Sequence, residues 1–162
     1  MSAAERVTRY SFADRLQRIS LPRPLSVLPA RIWSAEEWER IQLGHGSGDM
    51  DEKWDVFAEG TVVFLHRSWT GRGIFEAAFT TAGDEGGRQI TEAVVERDQG
   101  RYRSEDDEYD CLLLELVISS IVLGEPARAL RSRLAEFTRR AGGAEVPAGL
   151  VQHSVLGLRS DS

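Results

Sequence analysis

The chain has a single cysteine, Cys111, which excludes an internal disulfide and any cysteine-based zinc site and suits a reducing cytoplasm. Cys111 sits in an apolar run, where a small thiol packs as a hydrophobe. Long hydrophobic stretches are missing too. The most apolar run, Cys111–Leu123, is interrupted by Glu115 and falls short of the ~20 residues that a spanning helix needs. Residues 1–31 alternate charges with short apolar pieces, so neither a leader nor a membrane association is expected. The three histidines, His45, His66 and His153, form no H-x-x-x-H pattern. Asp49, Asp51, Glu52 and Asp55 lack the closing glutamate of a calcium loop. The segment Gly44-His45-Gly46-Ser47-Gly48 lacks the Lys-Ser/Thr ending of a phosphate loop, and there is no G-x-S-x-G elbow or dinucleotide fingerprint. No metal and no cofactor are expected. Lysine is reduced to one residue, Lys53, against nineteen arginines. Coding bias explains the skew, yet that one lysine lies inside the densest motif of the chain.

What is present fits one domain: 162 residues with 41% hydrophobic content can build a proper core. A net charge of -6 disfavours general nucleic-acid binding, which needs a clustered basic surface to neutralise phosphates. Arginines are nonetheless segregated. Arg6, Arg9, Arg15, Arg18, Arg23 and Arg31 face only Glu5 and Asp14 within residues 1–31, and Pro22, Pro24 and Pro29 bias that stretch toward extended backbone. The reading is an N-terminal arm over 1–31, one domain over 32–143, and a tail or edge strand over 144–162.

Within the domain, Ser34 with Glu37 forms an S-x-x-E capping box, and helical spacing continues to Gly44. From Lys53 the pattern alternates as in strands. A two-residue turn at Glu59-Gly60 would pair Val56 with Val63, Trp54 with Leu65 and Lys53 with His66. A second turn over Trp69–Gly73 would set Leu65 against Ala77 and Arg67 against Phe75. One face then carries Trp54, Val56, Val63, Leu65, Phe75, Ala77 and Phe79. A fourth strand is expected over Gln89–Glu96, a helix from Ser104 to about Leu123 with acidic residues in its first turn, and another helix after Pro126 ending at Gly142-Gly143. The expected fold is α+β: a mainly antiparallel sheet of about four strands, with one short helix before it and two after it packed on the Trp54 face.

That register sets Lys53, His66 and Glu76 side by side on the face away from the apolar surface. A lysine and a carboxylate flanking an imidazole can hold an anion, and a neutral histidine beside a glutamate can take a proton. Cross-strand charge pairing accounts for the same residues without a ligand. The turn Ser68-Trp69-Thr70-Gly71-Arg72-Gly73 offers hydroxyls, a guanidinium and an indole, a set able to bind an anion or stack a ring, although hairpin geometry alone calls for its glycines.

The runs D-E-K-W at 51–54, F-L-H-R-S-W-T-G at 64–71 and G-I-F-E at 73–76 resemble a largely uncharacterised family of small bacterial domains, in which an acidic-Lys-Trp strand leads into an H-R-S-W-T-G hairpin. The resemblance covers about residues 49–80, and the following helices more loosely. Relatives beside macro-type domains imply a role in ADP-ribose metabolism, defence or toxin control. The family assigns no catalytic residue, so Lys53, His66, Arg67, Ser68, Trp69, Thr70 and Arg72 enter as motif members. Two functions follow. One is a noncatalytic module that binds a protein partner or an anionic nucleotide-like ligand. The other is a small enzyme acting on a nucleotide or ADP-ribose conjugate, with His66 or Glu76 as proton acceptor.

Overall fold

The computed structural model describes residues 6–12, 15–47, 52–83 and 85–142; the expected C-terminal tail or edge strand lies outside them. The fold is α+β with an antiparallel sheet, as expected, but the sheet has six strands. They are β1 (Pro22–Pro24), β2 (Ile32–Trp33), β3 (Trp54–Glu59), β4 (Val62–Arg67), β5 (Gly73–Ala82) and β6 (Gly87–Glu96), in the order β1-β6-β5-β4-β3, with β2 also on β6. The two extra strands come from the segment expected as an arm and its junction with the domain. Pro22 pairs with Glu96 and Ile32 with Gln89. Proline is tolerated there because an edge strand has one hydrogen-bonding side to spare. On the opposite edge, His45 and Val56 exchange two backbone hydrogen bonds of 2.8 Å, so both margins of the sheet are covered.

The helices are α1 (Ala35–Leu43), α2 (Asp107–Leu116), continued by a π-helical segment over Val117–Val122, and α3 (Arg128–Gly142). A short 3-10 turn, Arg9–Phe12, precedes them all. The Ser34/Glu37 capping box forms as read, and α1 ends at Gly44. The start of α2 differs from expectation. Asp106 caps it by accepting from the Glu108 and Tyr109 amides, while the Ser104 hydroxyl is spent on Asp110, 3.0 Å away. A carboxylate at the cap satisfies two orphan amides and meets the positive end of the helix dipole.

The hairpin registers also differ from expectation. Trp54 pairs with Arg67 and Val56 with Leu65, because Gly60, at φ 62°, is the first of the two turn residues and Thr61 the second. Val63 pairs with Ala77 and Leu65 with Phe75, and a bulge at Leu65/His66 brings His66 opposite Gly73. Each register is displaced by two residues within its regular part. Since side chains alternate with period two, residues within these strands keep their predicted faces but meet different partners.

The Trp54 face forms the core with α1, α2 and the π-helical segment. Trp54, Val56, Val63, Leu65 and Phe75 are fully buried with Leu113, Leu116 and Ile118, and Trp38 of α1 lies 4.9 Å from Phe79. The opposite face is roofed by the N-terminal segment. Phe12 sits 5.8 Å from Phe57, which stacks on Phe64 at 5.0 Å. Arg9 lies over both rings while its guanidinium grips the Glu59 carboxylate at 2.8 and 2.9 Å.

Candidate functional site

The expected row of Lys53, His66 and Glu76 does not form. His66 stands opposite Asp55, not Lys53, and its ring packs 5.5 Å from Phe57 on the roofed face. Glu76 is paired with Phe64 on that same face, where burial raises its pKa and the charges of Arg9 and Arg18 partly offset the shift. Lys53 belongs to the other side, in company with Arg67, which lies 4.6 Å over the Trp54 ring. Lys53, one residue ahead of β3, leaves the face that His66 and Glu76 share, and the displaced register sets Glu76 opposite Phe64 in place of His66.

His66 is held in place by the turn and by Phe57. Its Nδ1 lies 2.9 Å from the Gly71 carbonyl; a carbonyl only accepts, so Nδ1 carries the proton. Burial is the main cause that lowers its pKa. The neutral ring is therefore favoured in the fold, and stability present above the ordinary histidine value is lost as the pH falls toward the lower folded value. A drop in melting temperature between about pH 7.5 and pH 5.5 is expected for the native protein, and a smaller one for His66→Asn. Equal slopes for the two proteins would show that His66 is not buried in this way. Ser68 is likewise tied to the backbone. Its hydroxyl donates to the Glu52 carbonyl at 2.7 Å and its amide to the Lys53 carbonyl at 3.0 Å, pinning the entry of β3 to the turn after β4.

Lys53, Arg67, Trp69, Thr70 and Arg72 do come together. With Arg101 they line a cavity of about 320 Å³. Among the described lining residues four of six are cationic and none is acidic, in a chain whose net charge is -6. The hairpin turn positions them: the Arg67 amide donates to the Arg72 carbonyl at 2.9 Å and the Gly71 amide to the Arg67 carbonyl at 2.8 Å. The turn is held in place by Gln17, whose amide donates to Gly71 O and whose carbonyl accepts from the Gly73 amide, both at 2.8 Å. Trp69 is 65% exposed, with the Lys53 ammonium 5.9 Å from its ring centre.

The electrostatics of this cavity favour an incoming anion. Burial lowers the pKa of Arg67, which means that its charge is poorly solvated in the fold. Arg72 Nε is buried with no hydrogen-bond partner among the described residues. Arg101 pairs with Asp98 at 3.8 Å and donates to the Gln17 side-chain oxygen at 3.1 Å, and the Asp98 carboxylate also feels the charge of Arg72.

Sequence reasoning missed Arg101 and the wall behind it. A second cavity, of about 560 Å³, adjoins the first and shares Arg67 and Arg101; Tyr102, Tyr109 and Phe137 provide its rings. Asp110, fully buried, organises this wall. It accepts from the Tyr102 hydroxyl at 2.5 Å and the Ser104 hydroxyl at 3.0 Å, and pairs with Arg97 at 2.8 Å. Burial pushes the Tyr109 phenol up to about 12, so at neutral pH it presents an uncharged ring. The only trace in the sequence is the basic-aromatic alternation Arg101-Tyr102-Arg103, which passes for a loop ahead of a helix cap.

Among the described residues, no group of three or more His, Cys, Asp or Glu side chains could hold a metal ion, and no helix is long and apolar enough to cross a membrane. No family model, curated protein or solved structure matches the chain.

Proposed function

We propose that the protein is a binding module for an anionic, nucleotide-like ligand, held by Lys53, Arg67, Arg72 and Arg101 with a ring against Trp69. The observation that carries this reading is the convergence of four cations in one cavity with no carboxylate among its described lining residues. Guanidinium forks match phosphate oxygens with paired hydrogen bonds, and an exposed indole accepts a ring of any base. Clustering such charge in an acidic chain costs self-repulsion, which a bound anion relieves. ADP-ribose, the ligand class implied by the hairpin's resemblance to the bacterial family, falls within this chemistry.

The enzymatic alternative gains nothing from His66 or Glu76. Both belong to the roofed face, and neither lines the cationic cavity.

Thermal shifts with inorganic phosphate, pyrophosphate, ADP and ADP-ribose test the proposal. A ligand at 100 times its dissociation constant adds ~2.7 kcal/mol of stability. ADP is expected to stabilise more than pyrophosphate, and added salt to weaken both. No stabilisation by any of the four would overturn the reading and leave the hairpin as a protein-docking or purely structural element.

A further inference from the structure

The larger cavity has no task in the binding of a phosphate on the neighbouring cations. We infer that the ligand is bipartite: an anionic bridge lies on Arg67 and Arg101, one ring rests on Trp69, and a second, uncharged ring-bearing group occupies the cavity walled by Tyr102, Tyr109 and Phe137. The inference rests on the anion-binding reading and specifies the class of ligand.

Three observations carry it. Arg67 and Arg101 line both cavities, so they stand at the junction, where the linking portion of a ligand would lie. The larger cavity, about 560 Å³, falls in the range that accepts a whole small molecule and exceeds what a phosphate needs. Its charge differs as well. Glu105 and Asp106 join Arg103 and the shared Arg67 and Arg101 in its lining, and these carboxylates accept hydrogen bonds from sugar hydroxyls or an exocyclic amine. Carboxylates line the larger cavity and are missing from the described lining of the smaller one, so a neutral, hydroxyl-bearing sugar or base suits the larger.

The aromatic wall is built to stay in place. Tyr109 and Phe137 meet edge to face at 6.5 Å, joining α2 to α3, and Tyr102 is anchored by its hydrogen bond to Asp110. A ring entering here meets preset surfaces, which lowers the ordering cost of binding. Two nucleosides joined through a pyrophosphate meet all of these requirements.

Calorimetric titration with diadenosine diphosphate, ADP and pyrophosphate tests the inference. The two-ring ligand is expected to bind about tenfold more tightly than ADP, as stacking of one further base warrants. Tyr109→Ala should reduce its affinity to that of ADP, while Tyr109→Phe keeps the advantage, because the ring and not the hydroxyl makes the contact. Should Tyr109→Ala fail to fold, Thr138→Trp fills the same cavity from α3 and should erase the advantage with ADP affinity unchanged. Equal affinities of the native protein for diadenosine diphosphate and ADP would overturn the bipartite ligand and leave the anion site standing. Failure of all three to bind would overturn both.

Discussion

Replacing Arg67 with alanine is expected to reduce ADP affinity at least ~30-fold, in keeping with the ~2–5 kcal/mol lost when one partner of a desolvated charged contact is removed. Arg67 is the residue at which the two cavities meet. Burial also lowers its pKa. The stability of the empty protein should respond differently. Loss of the stack on Trp54 at 4.6 Å removes about 1 kcal/mol of cation–π attraction, while loss of a poorly solvated charge restores a similar amount. The melting temperature should therefore change little while binding collapses. Arg67→Lys keeps the charge but loses the planar fork, and should fall between the two. Native affinity in Arg67→Ala, with an unchanged melting temperature, would remove Arg67 from the site.

Gly71→Ala should have the largest effect on the fold around the cleft. Gly71 adopts φ 74°, and a Cβ there would lie 1.7 Å from the Arg15 carbonyl oxygen, far inside contact distance and against backbone. The left-handed conformation costs a non-glycine residue ~1–2 kcal/mol. Relief of the overlap requires the turn and residues 15–17 to part. That breaks the Gln17 amide's hydrogen bond to Gly71 O and the Gly73 amide's bond to Gln17 O, at ~1 kcal/mol each. A loss of ~3–4 kcal/mol is expected in chemical denaturation, together with loss of ADP binding. The His66 Nδ1 bond to Gly71 O should be disturbed too, which would alter the pH dependence described above. A variant as stable as the native protein would show that the turn tolerates a second conformation.

Much of this architecture was legible in the residues because it is local. The S-x-x-E box at Ser34 capped α1 as read, since both partners lie within one helical turn. The faces of β3, β4 and β5 were assigned correctly, whereas their pairing was displaced by two residues. Alternation reports which side a residue takes and is blind to shifts of two, and the choice between Glu59-Gly60 and Gly60-Thr61 as turn residues is decided by packing of the whole sheet. The bulge at Leu65/His66 has no sequence signal comparable to a capping residue. Nor did Pro22 and Pro24 announce a strand, because a proline-bearing edge becomes stable only once β6 is present to receive it.

The candidate site divides the same way. Lys53, Arg67, Trp69, Thr70 and Arg72 could be nominated because one hairpin and its entry carry them all. Placing His66 and Glu76 with Lys53 required the exact register, and that grouping failed. Arg101, Tyr102, Tyr109 and Phe137 join the cleft from segments thirty to seventy residues further along, and no periodicity links them to the hairpin. The amino-acid sequence by itself determined the α+β character, the apolar face, the Ser34 capping box and the cationic hairpin, because each depends on neighbours in the chain. Only the tertiary structure decided which cations converge and that an aromatic cavity adjoins them. Such proximity arises from burial of the Trp54 face and the Asp110 network, which draw distant segments together irrespective of their spacing.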